Sequence, residues 1–306
     1  MSEAVTLQSY LGAWAGSDSS RRAVADAVER IAQAGITIAD LVAQGPLAAH
    51  FAATRGDEAN AGGDAQKELD VIAEEAIIAA LKGTPVAFLG SEESEDAIPL
   101  NAGGSLVVSV DPLDGSSNID TNVSIGTIYS ILPYDAATFP DPVAALMQTG
   151  SAQVAAGFLV YGPSTVLVST LGAGTQVFAL DRSTGTFLLA KAAVEIPAAT
   201  KEYGVNQSNV RQWDAPMQAY LADCLAGKDG PRGKDFNMRW VGSMVADAFR
   251  IFTRGGVYIY PGDKRKGYAE GRLRLIYEAN PVAFLVEQAQ GAATDGTRRI
   301  LDIVPA

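Results

Sequence analysis

The sequence predicts a layered α/β fold, and three observations carry that prediction. Two stretches near the start, residues 21–44 and 69–81, space their apolar residues as a helix face does. Short β-rich runs then follow one another from residue 84 to residue 190, separated by Gly, Pro and Ser turns. Helical stretches return afterwards, around a single further strand. That mixed order argues against a closed barrel, and 306 residues suffice for a large core and two subdomains.

In the first helix, Val24, Ala27, Val28, Ile31, Ile38, Leu41 and Val42 form the apolar face, and Gly35 weakens its middle. Residues 52–65, AATRGDEANAGGDA, are polar and glycine-rich and read as a mobile loop. Asp64 closes that loop and can cap the next helix, whose face is Leu69, Ile72, Ala73, Ala76, Ile77 and Ala80. Asp70 lies near its N-terminal end. Thr84 to Leu89 reads as a buried strand followed by Glu92-Glu93, and Leu106 to Val110 as the next strand. Ile125 to Leu132 is a third apolar run. VAAGFLVYG, STVLVSTLG, TQVFAL and TFLLA, between 153 and 190, read as an antiparallel meander. Residues 191–203 look like a subdomain join. Beyond it, 213–225, 243–252 and 280–290 read as helices and 256–260 as a strand, and Pro261 to Gly271 as a basic loop.

Composition excludes several function classes. The net charge of −12 argues against a nucleic-acid partner. No apolar run reaches the ~18–20 residues of a membrane span, and the first residues lack the basic start and apolar block of a signal peptide; a cytoplasmic location is the expectation. With one cysteine, Cys224, no internal disulfide can form, and with one histidine, His50, neither a His/Cys zinc site nor a His–Cys dyad is available. Charge is uneven: residues 1–227 carry 10 Lys and Arg against 26 Asp and Glu, and residues 228–306 carry 13 against 9. Surface drift would explain this; so would metal carboxylates supplied early and cations for an anionic substrate supplied late.

The stretch Asp111 to Asp120, DPLDGSSNID, is the most specific in the chain. Asp111 and Asp114 offer carboxylates suited to a hard cation such as Mg²⁺. Gly115, Ser116 and Ser117 are small and carry backbone N–H groups that suit a phosphate. Glu92 and Glu93 also stand at a predicted strand end, so the carboxylates converge if the two strands are neighbours. Asp64, Asp70 and Glu278 complete the candidate set. Singly, each has a plain reading as a helix cap or a solvated acidic turn. Together they point to metal-assisted phosphoryl chemistry.

Read over residues 20–306, the chain resembles class I fructose-1,6-bisphosphatase, of the lithium-sensitive Mg²⁺-dependent phosphatase superfamily. The motifs are GGDAQKELD, SEE, DPLDGSSNID, VSIGTIYSI, VYGPST, MRWVGSMVAD, GGVYIYP and GRLRLIYEANPVAFLVEQA. GPRGKDFNMRW and YPGDKRKGY look like the form found in Calvin-cycle proteobacteria. The resemblance implies a five-layer α/β/α/β/α sandwich, a homotetramer, and a division into residues 1–193, with the metal carboxylates, and residues 194–306, binding the sugar phosphate. It implies Mg²⁺, two or three per subunit, held by Glu92, Asp111, the Leu113 carbonyl, Asp114 and Glu278, with Asp64 joining when its loop closes. Asp70 and Glu93 would orient and deprotonate the attacking water. Asp114, Gly115, Ser116 and Ser117 would seat the departing 1-phosphate. Asn206, Tyr260 and Arg272 would hold the 6-phosphate and sugar, with Arg239 reaching in from a neighbouring subunit and Trp240 beside it. The implied substrate is fructose 1,6-bisphosphate, in gluconeogenesis or the Calvin cycle. Sedoheptulose 1,7-bisphosphate, alone or in dual use, is the nearest alternative. An inositol or nucleotide phosphatase, and a non-catalytic sugar-phosphate binder, are more distant ones.

Trp240 stands where many members have Tyr, and Arg272 where many have Lys. Arg can bind phosphate bidentately. Members run some 25 residues past the ILDIVP segment, with a strand and a helix that this sequence is expected to lack. AMP-inhibited members carry a Gly-Thr-Gly turn near the N-terminus, a Lys-Tyr pair before the first Asp, and an Arg after the next strand. Those places read here as Gly35-Ile36-Thr37, Ser105-Leu106 and Pro133. Weak or absent inhibition by AMP is therefore expected, and a phosphate-release assay showing micromolar inhibition would contradict it.

Overall fold

The structure, a computed structural model, describes residues 4–45, 54–59 and 65–306. Two helices open the chain, α1 (Leu7–Ala15) and α2 (Ser19–Gln44). A two-stranded hairpin, β1 (Thr54–Ala59) and β2 (Ala65–Lys67), leads into α3 (Glu68–Leu81). The large sheet follows: β3 (Val86–Ser91), β4 (Ile98–Pro99), β5 (Leu106–Asp114), β6 (Ile125–Pro133), β7 (Ala155–Tyr161), β8 (Thr165–Thr170), β9 (Thr175–Asp181) and β10 (Thr186–Lys191). The short α4 (Pro142–Leu146) lies between β6 and β7. The second part contributes β11 (Glu202–Gly204), α5 (Ala215–Leu225), β12 (Asn237–Met238), α6 (Met244–Arg254), β13 (Val257–Tyr258) and α7 (Asn280–Gln288).

The eight-stranded sheet runs β10-β9-β8-β7-β6-β5-β3-β4, and the three-stranded sheet runs β12-β11-β13. From β5 to β10 every pairing is antiparallel, while β3 and β5 are parallel. Side-chain alternation then sorts each strand onto two faces. On β7, Ala155 and Leu159 join α1, α2 and α3 in one core, and Ala156, Phe158 and Val160 join α6 and α7 in another. The small sheet packs on the far side of α6, and α5 closes it with Leu221 and Cys224 against Tyr203 and Trp213. Helices, large sheet, helices, small sheet and helix make the five layers that the resemblance implied.

Several local expectations change. Residues 54–59 and 65, read as loop, and residues 66–67, expected to open the next helix, pair as strands; Asp64 and His50 lie outside the described residues. Gly35-Ile36-Thr37 lies inside α2, so it is no turn; the turn joining the first two helices is Gly16 to Asp18, and Asp18 caps α2 through Arg21 N–H at 3.0 Å. Gly35 is there because a Cβ would sit 2.3 Å from Leu159 Cδ2. The helix gives up about 1 kcal/mol of propensity so that it can lie directly on β7.

Gly126 on β6 has the same origin on the other face. A Cβ there would meet the Leu159 carbonyl oxygen at 2.0 Å and Val245 Cγ2 at 2.6 Å. The first is backbone of the paired strand and cannot swing away. Gly126→Ala is therefore expected to destabilise the protein by more than about 2 kcal/mol, read as a lower denaturant midpoint with the slope retained.

Candidate active site

The carboxylates converge because of two features of β5. The first is its parallel pairing with β3. Ser91 lies opposite Val110, and Glu92 N–H continues the ladder to the Val110 carbonyl at 3.1 Å. Glu92 is thus delivered beside Asp111, where its charge helps hold the Asp111 carboxyl above its usual range. The second is a bulge. Asp111 pairs with Ile128 and Asp114 with Gly126, so β5 carries one more residue than β6 between these points. In an unbroken strand residues three apart face opposite sides; the extra residue lets both carboxylates enter one cluster. Pro112 suits the bulge because it has no N–H to leave unpaired. Its carbonyl accepts Thr127 Oγ1 at 2.8 Å, and Leu113 N–H donates to Asp111 Oδ1 at 3.0 Å.

Glu278 arrives from far along the chain, on a π-turn, Leu275–Ala279, that runs directly into α7. Wide turns of this kind often mark functional positions. Donor oxygens of Asp111, Asp114 and Glu278 all lie within 4.8 Å of one another, and all three residues are buried. Burial, reinforced by the neighbouring carboxylates, raises Glu278 to about 8 and Glu92 to about 7. It also holds Asp111 well above the usual carboxylate range. Asp114 is raised by burial too, against hydrogen bonds from Val245 N–H at 3.0 Å and Ser243 Oγ at 2.8 Å. Arg274 is the cation at the cluster, 3.0 Å from Glu92 Oε1 and 4.0 Å from Glu278 Oε2. Its backbone N–H donates to Glu278 Oε2 at 2.5 Å.

These residues fit a hard divalent cation. The donors are all oxygen. Glu92 Oε2 is buried with no hydrogen-bond partner, a costly state that a cation would relieve.

Beyond β5, Gly115 turns with φ +77° into a 3₁₀ turn at Ser116–Asn118. A Cβ on Gly115 would sit 2.7 Å from Ser243 Cβ, so glycine is required for the turn to pass α6. Ser116 is half-buried and Ser117 exposed. Glu93 follows Glu92, half-buried, and its charge helps raise Glu92. Asp70 is buried in the first turn of α3, the helix packed across β3 and β5.

The candidate sugar-phosphate residues share a second edge. β11 is parallel to both β12 and β13. Asn206, Arg239 with Trp240, and Tyr260 stand just past the carboxyl ends of these three strands, where ligand sites form in parallel sheets. Trp240 stacks on Tyr258 and Tyr260 at 5.6 and 5.8 Å between ring centroids. Arg272, exposed, lies 5.1 Å over the Tyr268 ring, with Arg265 also against that ring at 4.3 Å. The two edges meet at Tyr258. Burial, with the Asp114, Glu278 and Asp247 charges facing it, holds its phenol well above pH 10.

Sequence reasoning missed Arg274, Ser243 and Tyr258. Arg274 had a signal, being four residues before Glu278 in RLRLIYE. Ser243 and Tyr258 act only through tertiary contacts.

Comparison with known proteins follows the same lines. Residues 19–192 match the family model "Fructose-1-6-bisphosphatase, N-terminal domain", and residues 196–306 match "Fructose-1-6-bisphosphatase, C-terminal domain". The chain belongs to the class 1 fructose-1,6-bisphosphatase family. Among its relatives, a class 1 fructose-1,6-bisphosphatase of Xanthobacter autotrophicus is 75% identical over 100% of this chain and 93% of its own length. That of Azorhizobium caulinodans is 74% identical over the same shares. Among solved structures, the holo form of Leishmania major fructose-1,6-bisphosphatase is 35% identical with a TM-score of 0.90, covering 99% of this chain and 91% of that one. The family is metal-dependent, and no helix among the described residues is long and apolar enough to cross a membrane.

The raised carboxylates have a measurable consequence. Their folded-state pKa values, about 7 and about 8, exceed the usual 4.5, so the folded form holds more protons than the unfolded chain between those limits. Without metal, stability is expected to fall as pH rises from about 5 to about 8. Thermal unfolding across that range should reveal the slope, and millimolar Mg²⁺ should flatten it while releasing protons into weak buffer.

Proposed function

We propose that the protein hydrolyses the 1-phosphate of D-fructose 1,6-bisphosphate to give fructose 6-phosphate and phosphate. The observation that carries this is the meeting of two edges: the buried carboxylate cluster at the ends of β3 and β5, and the cationic, aromatic edge of the small parallel sheet. One edge suits the scissile phosphate and the other an anionic group across the same sugar.

Glu92, Asp111, the Leu113 carbonyl, Asp114 and Glu278 would hold the cations, with Asp64 as a further ligand; Mg²⁺, two or three per subunit, fits their oxygen chemistry. When bound, these cations would neutralise the scissile phosphate and stabilise charge on the departing oxygen. Glu93 and Asp70 orient the attacking water and accept its proton as its oxygen bonds to phosphorus. The phosphorus–O1 bond breaks with its electron pair left on O1, and O1 takes a proton from solvent water while the carboxylate later returns its own to solvent. Backbone N–H groups of Gly115, Ser116 and Ser117 seat the released phosphate. Asn206, Tyr260 and Arg272 hold the far phosphate and sugar, with Trp240 stacked beside them and Arg239 contributed across a subunit boundary in a homotetramer. Tyr268 backs Arg272 by a cation–π contact, which supports a guanidinium where many members have an ammonium. In the division into residues 1–193 and 194–306, the first part supplies Glu92, Asp111 and Asp114 to the carboxylate edge, and the second supplies Glu278 to it and all of the phosphate edge.

Phosphate release with Mg²⁺ from fructose 1,6-bisphosphate, sedoheptulose 1,7-bisphosphate and inositol 1-phosphate tests the reading. The first substrate should turn over best and the third not at all. Asp111→Asn should lower kcat by about a thousandfold or more; unchanged turnover in that variant contradicts the assignment. Arg272→Ala should raise KM for the bisphosphate by roughly tenfold to a hundredfold, the cost of one charge-assisted contact, with kcat less affected.

A further inference from the structure

The loop between β12 and α6, Arg239 to Ser243, belongs to both edges of the site. Arg239 and Trp240 stand at the phosphate edge. Ser243 donates to Asp114 Oδ2 at 2.8 Å. Between them, Val241 and Gly242 turn their N–H groups onto one carboxylate, that of Asp247. Val241 N–H lies 3.0 and 3.2 Å from the two Asp247 oxygens, and Gly242 N–H lies 3.1 Å from Oδ2. Asp247 is on α6, four residues after Ser243, and is 4% exposed. Its own N–H bonds back to the Ser243 carbonyl at 3.0 Å.

The start of α6 is therefore capped twice, from opposite sides. Asp114 reaches across from β5 to accept from Ser243 Oγ and Val245 N–H. Asp247 reaches backwards to hold the two residues that precede the Ser243 cap. The helix itself is fastened elsewhere, by the bidentate pair of Arg250 with Glu202 on β11 at 2.7 and 2.8 Å. What Asp247 restrains is the loop. A second observation ties it to the phosphate edge: Asp247 lines one small cleft together with Arg239 and Tyr258.

Resting on the function proposed above, we infer that Asp247 is a positioning residue that sets both edges of the site through one loop. It fixes Val241 and Gly242 so that Ser243 holds the Asp114 carboxylate towards Asp111 and Glu278. The same restraint fixes where Trp240 stands beside the sugar phosphate and how Arg239 is presented to the neighbouring subunit. Asp247 touches neither metal ligand nor substrate in this account; its effect passes through backbone N–H groups.

Asp247→Asn keeps the side chain's volume and one acceptor but turns an amide donor towards one of the loop N–H groups. Supports of this kind are worth about ten- to a hundredfold in metal affinity or activity. The full-length variant should retain its fold by circular dichroism, bind Mg²⁺ about tenfold more weakly by calorimetry, and show both a lower kcat and a higher KM for fructose 1,6-bisphosphate. Ser243→Ala should reproduce the Mg²⁺ loss while leaving KM near wild type. The double variant should bind Mg²⁺ no more weakly than the worse single one, because both act on Asp114 by one route. Mg²⁺ binding by Asp247→Asn within twofold of wild type overturns the inference, as does strict additivity in the double variant. Should Asp247→Asn fail to fold, Ser243→Ala decides alone: unweakened Mg²⁺ binding overturns it. Calorimetry separates this from the functional reading. A wild type that binds Mg²⁺ but cleaves no bisphosphate defeats the proposed function and leaves the Asp247 test intact.

Discussion

Concentrated buried negative charge is the constraint around which the rest of the structure is arranged. Glu92, Asp111, Asp114 and Glu278 are all under 9% exposed, and each is pushed above its ordinary pKa by burial, with neighbouring carboxylates adding to it at Glu92, Asp111 and Glu278. Desolvating one such group costs several kcal/mol, and like charges placed together add to it. The fold offsets part of that with Arg274, with the N-terminus of α6 at Asp114, and with protons retained on the cluster. What remains uncompensated is a standing affinity for cations. The stability given up at the cluster is what suits it to a cation.

That constraint explains why β5 is the centre of the large sheet's chemistry. Its neighbours differ in direction: β3 is parallel and β6 antiparallel. The parallel neighbour brings Glu92 to the same end as Asp111. The antiparallel neighbour allows the bulge that turns Asp114 inward. Neither pairing alone would gather three carboxylates. The small sheet repeats the logic with different chemistry, since its three parallel strands end towards an amide, a cation with an indole, and a phenol: Asn206, Arg239 with Trp240, and Tyr260. α6 lies between the sheets and closes the gap, packing Val245 and Phe252 against the large sheet's core and standing next to β13 on its other side.

Much of this was legible in the sequence, for reasons that differ by element. α2 and α3 show because amphipathic periodicity is a local signal, and the meander shows because its turns are punctuated by Gly and Pro. Asp111, Asp114 and Gly115 show because two carboxylates and a small-residue turn are packed into ten residues. The hairpin of β1 and β2 did not show, since its residues are polar and glycine-rich and carry no apolar alternation. Gly35 read as a weakness because propensity is local; its purpose, contact with Leu159, is tertiary. β5 runs past Val110, where the sequence predicts its end, to Asp114, because Pro112 reads as a strand terminator unless a bulge accommodates it. Arg274, Ser243 and Asp247 were hidden for one shared reason. Each acts on a residue delivered by another element, and no spacing within a single segment encodes that.

The hidden residues are also those that connect the two edges. Ser243 and Asp247 bracket one helical turn, yet they bind Asp114, more than a hundred residues earlier, and the loop carrying Arg239. A metal entering the carboxylate cluster would pull on Asp114, and hence on Ser243 and the loop behind it. Energetic coupling needs a contiguous set of contacts with restricted freedom, and this set is short: one carboxylate, one hydroxyl, two backbone N–H groups, one carboxylate. Gly115 packed against Ser243 leaves little room for the turn and the helix to move independently. Binding at one edge is therefore expected to be felt at the other through the start of α6, where a motif search sees only a helix cap.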